Sequence, residues 1–206
     1  MKTLIPAGGL LRKSLITCVT MFLLATTLNA QITLNSRLHD AEIKVSGTSN
    51  LHDWTMKGNG LNCDAQFIVK NASIYQLMSL NGLVFKMPVI NLKSSENLLN
   101  TRAYKAMNAE KHKDINFRMV TATVTPQGEN QYVIKAIGSL TISGVTKEVT
   151  LVANSKVNAD KTVSVTGSKK IKMSEFGIKP PSFMLGALKT GDEVTIDYSL
   201  KFNGTN

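Results

Sequence analysis

Between Glu193 and Phe202 the chain reads EVTIDYSLKF, and every second residue is apolar. Val194, Ile196, Tyr198, Leu200 and Phe202 alternate with Glu193, Thr195, Asp197, Ser199 and Lys201. A period of two is strand geometry: successive side chains point to opposite faces, so such a segment buries one face and wets the other. The same period dominates the chain from residue 41 onward. DINFRMVTATV (114–124) shows it through Ile115, Phe117 and Met119, and QYVIKAIGSLTI (131–142) follows across the turn TPQGEN, which predicts a hairpin. KEVTLVANSKV (147–157) and KTVSVTGSKKIKM (161–173) are strands joined at NAD (158–160). Earlier, AEIKVSGTS (41–49), WTMKGNGLNCDAQFIV (54–69) and LVFKMPVINL (83–92) read as strands with bends, with Gly58 and Gly60 letting the second of them coil. In SGVTK (143–147), Gly144 supplies a positive φ for a tight turn.

Two segments break the pattern. SENLLNTRAYKAMNAEKH (95–112) spaces Leu98, Leu99, Arg102, Ala103, Ala106 and Met107 by about three or four, the mark of a short amphipathic helix, with Ser95 placed to cap its start. FGIKPPSFMLGALKTGD (176–192) contains Pro180 and Pro181, which exclude a regular strand interior and predict a loop or a short helical turn. The fold class is therefore all-β. About eight antiparallel strands with one short helical insertion make a barrel or a sandwich, and an eight-stranded barrel either packs its interior or encloses a ligand.

The first thirty residues read differently. Lys2, Arg12 and Lys13 precede the apolar run SLITCVTMFLLATTL (14–28), which is too short and too lightly flanked for a spanning helix. The reading is a signal peptide (1–30) cut near Ala30, with one domain over 31–206 and a periplasmic or secreted destination. Removing the segment leaves 21 basic and 14 acidic residues, a net charge of +7. The lysines are scattered, with KHK (111–113) and KKIK (169–172) as the densest clusters, so no nucleic-acid partner is expected and a solvated basic surface is. The alternative is peripheral contact with anionic lipid headgroups. Only Cys63 remains after cleavage, so no internal disulfide forms and the core alone must hold the fold.

The one Trp lies in GTSNLHDWTM (47–56), beside an adjacent His52-Asp53 pair. Neighbours on a strand face opposite ways, so the pair cannot easily form a relay, and no G-x-S-x-G nucleophile elbow accompanies it. The three histidines, His39, His52 and His112, show neither i,i+2 nor i,i+4 spacing, and no metal or other cofactor is expected. The segment reads as a structural corner. Ser49, Asn50 and Asp53 would bond to backbone, Trp54 would plug one end of the barrel, and His52 would shape a pocket mouth.

Four stretches, taken in order, resemble the YceI-like family of exported lipid- or polyisoprenoid-binding domains. They are SGTSNLHDWTMKG (46–58), LKSSENLLNTRAYKAMNAEKHKDINFRM (92–119), GSLTISGVTKEVTLVA (138–153) and IKMSEFGIKPPSFMLGALKTGDEVTIDYSLKF (171–202), the last with the FGI triplet. The segment ITLNSRLHDAEIKVSG (32–47) departs from the family pattern, lacking an aromatic-plus-Asp start. The resemblance implies a lipocalin-like antiparallel β-barrel, an elongated apolar pocket, export, and no defining catalytic activity. The implied partner is a long-chain isoprenoid, a quinone or a fatty-acid-like molecule. Family members can also pair, so a homodimer is admitted, although no long exposed apolar patch demands one.

Nine Met and seven Phe supply adaptable wall material for such a ligand. The strand faces offer Phe85, Met87, Phe117, Met119, Ile134 and Tyr198 as pocket residues. The helix and the late loop offer Tyr104, Met107, Phe176, Phe183, Met184 and Leu185. The favoured function is a non-enzymatic carrier or sequestering protein. The alternatives are a stress-related or cell-surface interaction protein with a filled core, and a lipid-modifying enzyme, which would need polar groups converging inside the barrel.

Overall fold

The computed structural model describes residues 31–70, 75–183 and 188–205. Eleven strands form one antiparallel sheet. Eight are long and close on one another: β1 (Gln31–Ser49), β3 (Asn62–Lys70), β4 (Gln76–Pro88), β6 (Asp114–Gly128), β7 (Gln131–Ile142), β8 (Val145–Val157), β9 (Val163–Lys172) and β11 (Leu188–Thr205). The ring is sealed by β1 against β11, from Asn35↔Thr205 to Ser49↔Thr190. The three additions are short: β2 (Trp54–Gly58), β5 (Leu92–Lys93) and β10 (Ser182–Phe183). The expected eight-stranded barrel is present, with these three strands as trimmings at one end.

Several sequence expectations need correction, among them that 83–92 is one strand: β4 ends at Pro88, and a 3-10 turn (Val89–Asn91) separates it from β5. The first strand begins at Gln31, ten residues before the alternation becomes legible. Its polar first half pairs with β3 (Gln31↔Lys70 to Arg37↔Asp64) and its second half with β2 (Ile43↔Gly58 to Gly47↔Trp54), with a bulge around His39 between the two. Segment 54–69 is two strands. Gly60 turns at φ 56, and the turn is tied to Asn91, whose carbonyl accepts the Asn59 N–H at 3.1 Å.

The Ser143-Gly144 turn has positive φ at both positions, 51 and 78. That is the type I′ geometry whose twist suits a two-residue hairpin, here from Ile142 to Val145. The imidazole of His112 lies against Gly144: a Cβ there would stand 2.3 Å from the ring, so glycine is needed for space as well as for φ.

Helix α1 (Asn97–Ala106) is the expected insertion. Ser95 does not cap it. Glu96 holds the cap position with no side-chain bond. Ser94 ties the entry instead, its Oγ accepting from the Glu96 N–H at 3.1 Å, while Asn100 Oδ1 accepts from the Ser94 N–H at 2.7 Å.

The core falls into two clusters along the barrel axis. At one end Phe67, Val69, Leu77, Tyr132, Val157, Val163 and Phe202 pack solidly. Phe67 and Phe202 meet edge to face with ring centroids 5.4 Å apart. The buried Tyr132 hydroxyl accepts the Leu77 N–H at 3.1 Å. At the other end Met56, Met87, Met107, Phe117, Leu140, Ile171, Phe176 and Val194 form a looser wall, against which Leu99, Ala103 and Ala106 of α1 rest.

Candidate functional site

A cavity of about 340 Å³ occupies the barrel between these two ends. Its floor includes Phe67, Val165 and Phe202, the inner surface of the packed end. Its sides are inward residues of alternate strand positions, such as Ile43 and Val45 of β1, Ile134 and Leu140 of β7, and Val194 and Ile196 of β11. Leu98, Leu99, Ala103 and Ala106 of α1 complete the wall. The cavity reaches the surface where its lining residues are themselves exposed: Leu51, 67 % exposed, Leu98, 59 % exposed, and Lys189.

The corner 49–54 builds one side of this mouth. Ser49 Oγ accepts the N–H groups of Leu51 and His52, each at 3.2 Å, and donates to the His52 carbonyl at 2.7 Å. Asn50 is latched to β11: its N–H donates to the Lys189 carbonyl and its Oδ1 accepts the Lys189 N–H at 2.9 Å. His52 Nδ1 lies 2.8 Å from the Asp53 carbonyl, so the two residues meet through backbone and form no imidazole–carboxylate pair. Trp54 packs against Gly47, where a Cβ would stand 2.2 Å from the ring, and its Nε1 donates to Thr48 O at 3.3 Å. Trp54 and His52 both lie in the cavity lining. The Asp53 side chain is exposed and its backbone does the bonding.

Of the pocket residues expected from sequence, Phe85, Met87, Met107, Phe117, Ile134, Phe176 and Tyr198 line the cavity. Tyr104 and Met119 do not. The Tyr104 hydroxyl turns away to the carbonyls of Ile90 and Leu92, 2.9 Å from each, and fastens α1 to β5. Met119 packs between the two core clusters at the point where the bulge before Thr121 bends β6. Phe183 pairs with Leu188 in β10, but its side chain, with Met184 and Leu185, lies outside the described residues.

Several wall residues went unread in the sequence. Met56 and Cys63 both lie on inward strand positions that the merged 54–69 strand had left out of phase. Lys169 was absorbed into a basic cluster, yet strand parity puts it on the same face as Val165 and Ile171.

Two of the titratable groups on the wall, Cys63 and Tyr198, are shifted by burial. Burial, aided by the Asp64 carboxylate, pushes the Cys63 thiol up to about 12. Burial likewise raises the Tyr198 phenol to about 12, and its hydroxyl donates to Val152 O at 3.1 Å. Both are held neutral across the physiological range, which makes Cys63 a poor nucleophile. Among the described residues no group of three or more His, Cys, Asp or Glu converges as a metal would require.

A closed antiparallel barrel, packed at one end and hollow at the other with a helix beside the opening, is the lipocalin-like arrangement. The chain belongs to the YceI-like family, whose domain model matches residues 44–202. Solved structures share the fold. A polyisoprenoid binding domain from Saccharophagus degradans, implicated in plant cell wall breakdown, superposes with a TM-score of 0.61 at 11 % identity, over 84 % of this chain and 99 % of that one. BcnA of Burkholderia cenocepacia gives 0.60 at 17 % identity, over 78 % and 95 %. The Campylobacter jejuni YceI protein gives 0.54 at 16 % identity, over 72 % and 84 %. No curated protein matches the sequence.

Proposed function

We propose that this protein is an exported, non-enzymatic binding protein that holds a polyisoprenoid, quinone or other long-chain amphiphile in its barrel, as a carrier or a sequestering agent. The observation that carries the reading is the continuous apolar cavity, about 340 Å³, running from exposed Leu51 and Leu98 to the Phe67–Phe202 floor. That size falls within the range of small-molecule sites, about 300–1,000 Å³. Burial of chain methylenes contributes about 0.8 kcal/mol each, so ten of them reach about 8 kcal/mol before the costs of association. The polyisoprenoid binding named for the Saccharophagus domain supports the choice of ligand class.

The filled-core alternative finds no support in a barrel that encloses a cavity of about 340 Å³. The enzyme alternative needs polar groups that act on one another. Cys63 and Tyr198 are neutral, and the Tyr198 proton is committed to the Val152 carbonyl.

The test is native mass spectrometry of the protein purified from its host's exported fraction, followed by solvent extraction. A stoichiometric long-chain species and a mature N-terminus near Gln31 are expected. A bare mass that stays bare after incubation with prenyl quinones and fatty amides would overturn the reading.

A further inference from the structure

One wall residue is not what an apolar chain requires. Lys169 stands on β9 directly opposite Ile196 of β11, and residues paired in this way share a face of the sheet. Ile196 lines the cavity, as do Lys169 and its same-face neighbour Ile171. The flanking Ser168 and Lys170 are exposed on the outside, whereas Lys169 is half-buried. Lys170 is paired with Glu193 at 2.9 Å. Lys169 has no ion-pair partner among the described residues. The charged residues of the lining are three cations, Arg102, Lys169 and Lys189, against one carboxylate, Glu96. An ammonium beside an apolar lining can pair with an anion that enters with the ligand, and charge-assisted hydrogen bonds are about twice as strong as neutral ones.

We propose that the ligand is an acidic amphiphile, a long or prenyl chain ending in a carboxylate or phosphate, with its head at Lys169 and its tail on the apolar floor. This rests on the cavity binding proposed above and adds the chemistry of the head. In this arrangement the aliphatic stem of Lys169 would lie along the wall and present the ammonium to the head.

The test titrates the purified protein with two matched pairs: palmitate against hexadecanol, and farnesyl phosphate against farnesol. Each pair holds the chain constant and changes only the head, and the two acids distinguish a carboxylate from a phosphate ligand. The wild type is expected to bind at least one acid about tenfold more tightly than its neutral partner, the scale of one charge-assisted hydrogen bond. Lys169→Met should bring that ratio to near one, Lys169→Arg should keep it, and the outward Lys170→Met should leave it as in the wild type. Equal affinity for acid and alcohol in the wild type overturns the proposal without need of any variant, and so does a preference that survives Lys169→Met. Failure of all four probes to bind would instead overturn the cavity reading itself.

Discussion

Cys63 shows how one side chain reports on its surroundings. It is 3 % exposed on β3 and its thiol is raised from 9.0 to about 12, first by burial and then by the Asp64 carboxylate. The folded protein therefore keeps the proton while the unfolded chain releases it above about 9. Stability is unaffected by this group below that pH and falls as pH rises from about 9 toward 12, by at most about 1.4 kcal/mol per pH unit. Urea melts at pH 8 to 10.5 should show a steeper alkaline loss for the wild type than for Cys63→Ala. Parallel curves would contradict the burial of the thiol. His52 and Asp53 make the complementary point. Adjacent in sequence and suggestive of catalysis, they meet through a main-chain carbonyl.

At the scale of elements, the eight long strands are held by ladders on both sides, but α1 is not. None of its residues is fully buried, and no side chain caps its first turn. Its anchors are the Ser94–Asn100 bonds at entry and the Tyr104 hydroxyl on Ile90 and Leu92. Tyr104→Phe removes the second anchor and should cost about 0.5–1.5 kcal/mol. The loss should be local, so amide exchange should quicken over 97–106 with little change in β7 and β8. Uniform acceleration across the barrel would mean that the helix is an integral part of the core. Tyr104 was expected among the pocket residues because it belongs to a helix placed near the opening. Spacing cannot tell an apolar ring used as wall from a hydroxyl used as a fastener.

At the largest scale, the described residues form a barrel filled at one end and empty at the other, and the division is a matter of residue volume. Where Phe67, Phe202 and Tyr132 converge the interior is full; where Ala136 and Ala153 face it there is room. Ala153→Phe should therefore fill cavity without the usual penalty of overpacking, about 1–3 kcal/mol in a closed core. Its melting temperature should stay within a few degrees of the wild type while affinity for a long-chain alcohol such as hexadecanol falls at least about tenfold. Unchanged affinity would place the ligand elsewhere.

Alternation of apolar and polar residues determined the strands of β6, β7, β8, β9 and β11, and with them the inward placement of Phe117, Ile134 and Tyr198. The spacing of Leu99, Ala103 and Ala106 determined the helix. The SGVTK turn was legible because two consecutive positive φ angles demand small or polar residues. Periodicity is local, however, and cannot say which strand pairs with which. The first half of β1, polar and irregular, becomes a strand only because β3 and β11 lie on either side to take its backbone bonds. Parity also fails at each bulge or unread turn, which is why Met56 and Cys63 were missed and Met119 was misplaced; Lys169, on an unbroken strand, was missed because its charge was read with its basic neighbours. Whether an inward Met or Phe packs core or lines a cavity depends on the volume of residues facing it from distant strands, and only the closed barrel decides that.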